Sequence, residues 1–490
     1  MSTSLLTTQP ASAATDRPPL VVDLDGSLVR TDTLVEGLLA AVAHPIKLLR
    51  AVWSLHRGKA RFKREVAAIA DLDPALLPYN QELLAFLRDE QKCGRSLILA
   101  TGADRQVALA VAQHLDLFDA VFASDGETNL TGAAKLAAIH AALGGRPFSY
   151  IGNERGDVAV WRDADSAIVV DAPRAVVRAA ARVTRVERSF ARDTAWPQAL
   201  AHAMRPHQWV KNLLVFVPIV TARAIGDFHG WFEAALMFLA FGLTASGIYL
   251  INDLCDLAAD RQHPKKRLRA FASGALPLHV GLLAAPVLIA AGFATGLAAG
   301  ALPVLAMYAA MSVAYSFYFK SQPLVDVFLL AGLYTIRLIG GGVAAGYRVS
   351  LWLLAFSSFL FLALAIVKRV AELRELAKRE QRKAAGRGYR AGDVHILELM
   401  GVAASFITSL VLALYVQAEM SHGGAHGPNL SWAIVPLILF WQCRIWLATA
   451  RGRMHHDPIV FAARDWVSWL VTICAFGVLL LGDKVSIFSL

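Results

Sequence analysis

The sequence predicts a two-part chain. An N-terminal α/β, Rossmann-like domain with a small helical cap precedes an all-α, polytopic membrane domain of about nine helices. Three observations carry this reading. Short apolar runs near the N-terminus end in polar, carboxylate-bearing loops and alternate with helical patterns. After Asn212, apolar runs of spanning length recur to the C-terminus. The loops between those runs alternate between basic and nearly uncharged.

The 490 residues suffice for more than one domain. Hydrophobic residues make up 56% and the mean hydropathy is +0.48, which excludes an ordinary soluble protein. The net charge of +10 is unevenly placed and reads as a membrane-orientation signal. No aromatic and basic interleaving of the RNA-binding kind occurs, so nucleic acid is not an expected partner. Cys93, Cys255, Cys443 and Cys474 are scattered without a C-x-x-C pair, which argues against a zinc site or disulfide framework. Residues 1–18 lack a basic start and an apolar core, so they read as a disordered tail and not a signal peptide. The first domain is therefore expected in the cytosol.

Taken in order, the domain at 19–172 opens with Pro19-Leu20-Val21-Val22, a buried strand running into Asp23-Leu24-Asp25-Gly26-Ser27. Ligands of open α/β sheets bind beyond the carboxyl ends of strands, so both carboxylates are well placed for chemistry. A second strand, Ser96 to Ala100, ends in Thr101-Gly102; a third, Phe148 to Ile151, ends in Gly152-Asn153-Glu154-Arg155-Gly156-Asp157. Lys135 opens a helical pattern running to Leu143. The cap is expected at about 30–91. Within it, His44 to Arg64 mixes Ile46, Leu48, Leu49, Val52, Trp53 and Leu55 with Lys47, Arg50, His56, Arg57, Lys59, Arg61, Lys63 and Arg64. That composition suits either an anionic membrane surface or an ordinary cap helix. Residues 173–197, charged and Ala-rich from Arg174 to Asp193, read as a helical linker.

The membrane domain, 198–490, is expected to place helices near 212–225, 231–251, 276–299, 301–319, 324–345, 351–367, 396–416, 430–450 and 466–481. Basic loops fall at Arg261 to Arg269, Lys320, Lys368 to Arg390 and Arg451 to Arg464, which puts those loops on the cytosolic side. At the mouth of the second span stands Asn252-Asp253-Leu254-Cys255-Asp256-Leu257-Ala258-Ala259-Asp260. On a helix, Asp253, Asp256 and Asp260 share one face, with Asn252, Asp256 and Asp260 on the same stripe. Three carboxylates on one face repel unless a cation sits between them, and oxygen-only ligands favour Mg²⁺. Gly340-Gly341-Gly342 lies deep in an apolar segment, so close helix packing or local unwinding is expected there. Ser421 to Pro428 reads as a flexible loop, His455 and His456 as loop residues, and Arg374 to Arg390 as a solvated helix.

The D-x-D-G-S, strand-Thr-Gly, Lys and G-x-x-x-x-D series resembles the haloacid dehalogenase superfamily of phosphohydrolases. The resemblance implies Asp23 as nucleophile, Asp25 as general acid and base, Thr101 and Lys135 as phosphate holders, and Asp157 as a Mg²⁺ ligand beside Asp23 and Asp25. Asn153 stands where that family often has an acid; its amide oxygen can bind a metal but adds no charge.

The N-D-x-x-D-x-x-x-D cluster resembles the UbiA superfamily of intramembrane prenyltransferases. Arg205-Pro206-His207-Gln208-Trp209-Val210-Lys211-Asn212, Asp260 to Arg267, and Tyr315 to Lys320 through Asp326 look like its decaprenyl-phosphate phosphoribosyltransferase branch. That branch moves 5-phosphoribose from phosphoribosyl diphosphate to a polyprenyl phosphate. Where other members carry a second acidic motif after the sixth span, this chain has Lys368-Arg369-Val370-Ala371-Glu372, which suits an anionic group. The resemblance implies Mg²⁺ on Asn252, Asp253, Asp256 and Asp260. Arg205, Lys211, Asn212, Lys265, Lys266, Lys320, Asp326, Lys368 and Arg369 are the candidates for substrate binding. The expected location is the cytoplasmic (inner) membrane, with the N-terminal domain and both sites on the cytosolic side; a homo-oligomer is left open. Two other readings stand: an aromatic-ring prenyltransferase carrying an unrelated phosphatase, and a membrane scaffold whose soluble domain senses phosphate without turnover.

Overall fold

The structure, a computed structural model, describes residues 17–191, 195–378, 388–420, 430–454 and 457–481. Two compact units result: one holds the residues up to Ala203 together with Leu250–Ala284, the other Met204–Tyr249 and Ala285–Leu490.

The first unit is built on β1 (Leu20–Val22), β2 (Leu97–Asp104), β3 (Ala120–Ser124), β4 (Ser149–Gly152), β5 (Ser166–Val170) and β6 (Arg185–Phe190). All pair in parallel, in the order β3-β2-β1-β4-β5-β6. Leu20 faces Leu97 on one side and Ser149 on the other. The period-2 pattern divides the core. Leu20, Val22, Leu97 and Leu99 pack under α4 (Gln81–Lys92) and α5 (Arg105–Leu115). Val21, Ile98 and Ala100 pack under α6 (Ala133–Leu143), α7 (Val158–Trp161) and α8 (Arg174–Val183). Apolar residues on both faces are what a doubly covered parallel sheet requires. The strand order reverses at β1, which places Asp23 at the switch point where such sheets bind ligands.

α1 (Thr33–Ala41), α2 (Pro45–Trp53) and α3 (Lys59–Ala70) form the cap. It is shorter than expected: α4 buries Leu83, Leu84 and Leu87 on the sheet and belongs to the α/β core. The helical linker also needs correction. Val176 and Ala180 of α8 are buried, and Thr184, extended, turns the chain into β6, paired to β5. β6 exposes Arg185, Glu187 and Arg188, as edge strands do, and this disguised it as a charged helix.

The rest of the chain is helical: α9 (Trp196–Ala203) and α12 (Leu257–Gln262) belong to the first unit, α11 (Phe228–Cys255) and α13 (Leu278–Ala298) are divided between the two, and α10 (Val217–Thr221), α14 (Leu302–Phe317), α15 (Val325–Ala345), α16 (Leu351–Lys378), α17 (Val394–Tyr415), α18 (Ile434–Ala450), α19 (Pro458–Arg464) and α20 (Trp466–Leu481) belong to the second. Among the described residues six helices are long and apolar enough to cross a membrane, or seven if α19 and α20, bent by 87°, form one span. The expected nine are not reached. The run near 212–225 is the end of a 3-10 stretch, Pro206–Phe216, followed by the one-turn-and-a-half α10, because Pro218 interrupts it. α14 is a shorter apolar helix. α16 continues past Val367 to Lys378, so Lys368 and Arg369 stand on a helix and not in a loop. Arg374 is half-buried, pairing with Glu398 at 2.5 Å and donating to the Thr449 carbonyl. Residues 379–387, Ser421 to Pro428, His455, His456 and the tail up to residue 16 lie outside the described residues.

α15 runs unbroken through Gly340-Gly341-Gly342, so the glycines serve packing. A Cβ on Gly341 would run into the Val215 carbonyl oxygen, and one on Gly340 would lie 2.8 Å from the Phe241 ring. Gly341→Ala is expected to cost about 1–3 kcal/mol by overpacking, read as a lowered melting temperature of the detergent-solubilised protein. A Gly477→Ala control, where a Cβ meets open space on a helix, should show no such drop.

Candidate active sites

At the C-terminal edge of the sheet, Asp23, Thr101, Lys135 and Asp157 are buried and Asp25 is half-buried. Lys135 Nζ lies 2.9 Å from Asp23 Oδ1 and 3.8 Å from Asp157 Oδ1, and donates to the Tyr150 hydroxyl at 2.8 Å. Tyr150 in turn donates to Asp157 Oδ1, whose other oxygen accepts the amides of Asn153 and Glu154. The Thr33 amide donates to Asp25 Oδ1 at 2.9 Å. Burial, with the charge of Asp157, pushes Asp23 up to about 6 against the pull of Lys135. Burial and the neighbouring Asp32 push Asp25 up to about 7. For Lys135, burial opposes the charge but Asp23 and Asp157 prevail and hold its pKa above the ordinary lysine value.

A cavity of about 100 Å³ opens beside Asp25, lined among others by Asp32, Thr33, Lys63, Ala103 and Asp104. Lys63, on α3, donates to the Gly102 carbonyl at 2.6 Å and to Asn129 Oδ1 at 3.0 Å. Sequence reasoning counted Lys63 among the surface cations of the cap; only the fold of α3 over the β2 end turns it inward.

The donor set here fits a divalent cation. Asp23 and Asp25 are carboxylates made costly by burial, and Asn153 Oδ1 is buried without a hydrogen-bond partner among the described residues. Both oxygens of Asp157 accept hydrogen bonds, one from Tyr150 and the other from the Asn153 and Glu154 amides. By itself no group of three or more metal-ligating side chains is assembled among the described residues.

These shifts fix a stability prediction. A carboxylate raised in the folded state is protonated there between about pH 4 and 7 while the unfolded chain is not. Stability is therefore lost as pH rises through that window, on the order of 3 kcal/mol for a shift of this size. In chelator, the melting temperature should be higher at pH 5.5 than at pH 8, Asp25→Asn should raise it at pH 8, and added Mg²⁺ should stabilise more at pH 8 than at pH 5.5. A pH-independent melting temperature in chelator would contradict this.

The acidic stretch at the end of α11 is kinked. α11 stops at Cys255 and α12 starts at Leu257, although the Asp256 amide still donates to Asn252 O and the Asp260 amide to Asp256 O. Asp253 and Asp260 are buried, while Asn252 and Asp256 are half-buried. Arg269 Nη1 sits between Asp253 Oδ1 at 3.0 Å and Asp260 Oδ2 at 2.7 Å. A guanidinium thus holds the place between carboxylates that a cation requires, and the pair fits a metal that displaces it. Lys266 approaches Asp260 at 3.9 Å; Lys265 is exposed.

Arg261, next to Asp260, forms a bidentate pair with Glu36 of α1 at 2.9 and 2.5 Å, with both side chains buried, and donates to Ala272 O. Gly274 comes soon after, at φ +74°, where a Cβ would lie 2.5 Å from Arg30 Cβ. The residues after the acidic stretch are thereby docked on the helix whose first amide holds Asp25. Removing one partner of a buried pair costs about 3–5 kcal/mol. Glu36→Ala should lower the melting temperature of this unit, and the charge swap Glu36→Arg with Arg261→Glu should recover part of it; no loss in Glu36→Ala would show that the pair carries no stability.

In the second unit, Lys211 Nζ at 2.7 Å and Lys368 Nζ at 3.2 Å meet on Asp457 Oδ2, the cap of α19, to which the Tyr334 hydroxyl also donates. Asn212 is buried and accepts from Arg337 Nε at 2.8 Å; Arg337 also donates to the Tyr308 hydroxyl and the Leu333 carbonyl. Arg205 lies 5.1 Å from the centre of the Tyr249 ring. Arg369 and Asp326 are fully buried against each other at 2.7 Å, with Tyr389 donating to Asp326 and Arg369 also bonded to Glu372. Lys320 stands half-buried in a 3-10 turn, Phe319–Ser321. The structure thus gathers Lys211 with Lys368 but spends Asn212 and Asp326 on fixing arginines. Asp457, Tyr334, Arg337 and Arg269 were not foreseen. Asp457-Pro458 offered a signal, an N-cap followed by proline at a helix start.

Residues 213–458 match the UbiA prenyltransferase family. The chain is 36% identical over 463 residues to the uncharacterized protein y4nM of Sinorhizobium fredii, covering 92% of this chain and 89% of that one. To nodulation protein NoeC of Azorhizobium caulinodans it is 36% identical over 282 residues, 57% of this chain and 90% of the other. To decaprenyl-phosphate phosphoribosyltransferase of Mycolicibacterium smegmatis it is 40% identical over 189 residues, 37% of this chain and 58% of that protein. With its long apolar helices, the chain is an integral membrane protein and belongs to the UbiA prenyltransferase family.

Proposed function

We propose that the chain transfers 5-phosphoribose from phosphoribosyl diphosphate to a polyprenyl phosphate in a Mg²⁺-dependent reaction, and that the N-terminal unit then removes the 5-phosphate from the lipid product. The observation that carries the transferase half is the convergence of Lys211 and Lys368 on the single carboxylate of Asp457. Two ammonium groups gathered at one point make a site that a phosphate can take over from the carboxylate. The similarity to the Mycolicibacterium smegmatis enzyme supports the same choice.

In this reading a lipid phosphate oxygen attacks C1 of the ribose, the bond from C1 to the diphosphate oxygen breaks, and its electron pair leaves with the diphosphate. Asp253, Asp256 and Asp260, with Asn252, would hold Mg²⁺. Bound there, the ion would supply positive charge to the leaving diphosphate. Arg269, now between two of those carboxylates, is the group that has to move aside. Lys211, Lys368, Arg205, Lys265, Lys266 and Lys320 are the cations for the anionic ends of donor and acceptor, while Asp326 and Asn212 hold Arg369 and Arg337 in place. The location we assign is the cytoplasmic membrane, with both sites facing the cytosol, where phosphorylated sugars are.

For the N-terminal unit we propose phosphomonoester hydrolysis of the haloacid dehalogenase type. Asp23 attacks phosphorus and takes the phosphoryl group while Asp25 gives its proton to the departing alcohol. With its pKa pushed up to about 7, a substantial fraction of Asp25 carries that proton at neutral pH. Asp25 then takes a proton from the water that hydrolyses the aspartyl phosphate. Thr101 and Lys135 hold phosphate oxygens, with Lys135 already 2.9 Å from the nucleophile. Membership of a prenyltransferase family favours one other reading, prenyl transfer to an aromatic ring. Titration of the purified protein separates them. Saturable binding of phosphoribosyl diphosphate with Mg²⁺, and none of a prenyl diphosphate, is expected; the opposite pattern favours the aromatic prenyltransferase.

A further inference from the structure

Helix α2 is a poor cap helix and a good interfacial one. Of its nine residues only Ala51 is buried. Ile46 is 71% exposed, Leu49 70% and Trp53 77%, and at i, i+3 and i+7 they share one face. Val52 and Leu55 are half exposed beside them. No acidic residue occurs between Val42 and Arg64, while Lys47, Arg50, Arg57, Lys59 and Arg61 are all exposed. An apolar stripe with a Trp, flanked by cations alone, is complementary to an anionic bilayer surface and to little else. The stripe is moreover built into a chain that is already an integral membrane protein.

The neighbouring helix ties this surface to chemistry. α3 carries Lys63 to the Gly102 carbonyl at the cavity beside Asp25. The cavity of about 100 Å³ adjoins Asp25 and has room for the group next to the scissile phosphate, with Lys63 the cation in its lining beside Asp25, Asp32 and Asp104 and the rest of a larger substrate left outside. We propose that α2 lies in the surface of an anionic bilayer and presents this cavity to a phosphomonoester carried by a lipid, whose phosphate Lys63 helps to select. The docking stands on exposure and charge; the substrate class rests on the phosphatase reading proposed for this unit.

The test uses the full-length protein in nanodiscs with and without phosphatidylglycerol, beside a variant carrying Ile46→Glu, Leu49→Glu and Trp53→Glu. Amide exchange over residues 42–57 should be slower in the anionic discs than in the zwitterionic ones for the wild type. The triple variant should lose at least tenfold in hydrolysis of 5-phosphoribosyl polyprenyl phosphate held in the disc, and keep its rate on ribose 5-phosphate in solution. Equal loss on both substrates, equal retention of both, or exchange that ignores the lipid overturns the proposal. Protection that instead tracks protein concentration in detergent also overturns it, and assigns the face to a second copy of the chain. Should the wild type hydrolyse neither ester, the phosphatase reading falls, and the exchange measurement alone decides the docking.

Discussion

Asp23→Asn is expected to lower phosphomonoester hydrolysis by on the order of 10⁴-fold or more, and to leave lipid ribosylation intact. The size follows from the position. Asp23 leaves β1 at the point where the strand order reverses, is buried, and has Lys135 at 2.9 Å. An amide there keeps the shape but cannot attack phosphorus, and the remaining groups only bind. With both substrates of the transferase supplied, the lipid product should therefore accumulate with its 5-phosphate still attached. Continued formation of the dephosphorylated lipid would remove the N-terminal unit from this reaction.

Asp256→Ala should do the reverse, lowering transfer by about 10³-fold or more while hydrolysis of a soluble phosphomonoester persists. Asp256 sits at the kink between α11 and α12, half-buried, between Asp253 and Asp260 in sequence. Asp253 and Asp260 are buried, so Asp256 is the carboxylate of the three most exposed to an incoming cation. The loss should appear with Mg²⁺ saturating for the wild type and should be partly relieved by more metal. Unchanged transfer would take the acidic stretch out of the mechanism.

How much of the fold and its sites was legible from sequence depends on how local the governing physics is. β1, β2 and β4 announced themselves because buried parallel strands are short continuous apolar runs, and Asp23, Thr101 and Asp157 are located by where those runs end. β6 was read as helix because an edge strand with one exposed face has charged residues in place of the apolar run. The apolar segments of the membrane part were visible from composition, but length alone could not show that Pro218 breaks the first one or that α16 extends beyond its apolar stretch. Lys211 and Lys368 were both named, whereas their meeting on Asp457 spans 246 and 89 residues of sequence and leaves no local trace. The same holds for Arg261 and Glu36, 225 residues apart. Asn212 and Asp326 were singled out by motif and turn out to hold arginines, a role that a motif does not distinguish from substrate contact.

The most direct test of the central claim is the mass of the lipid product. The purified protein in detergent is supplied with Mg²⁺, a polyprenyl phosphate and labelled phosphoribosyl diphosphate. The expected product is a lipid that has gained ribose without the 5-phosphate, with diphosphate and inorganic phosphate released in equal amounts. A ribosylated lipid that keeps the 5-phosphate would contradict the phosphatase half alone. No ribosylated lipid from a folded preparation would contradict the transferase itself.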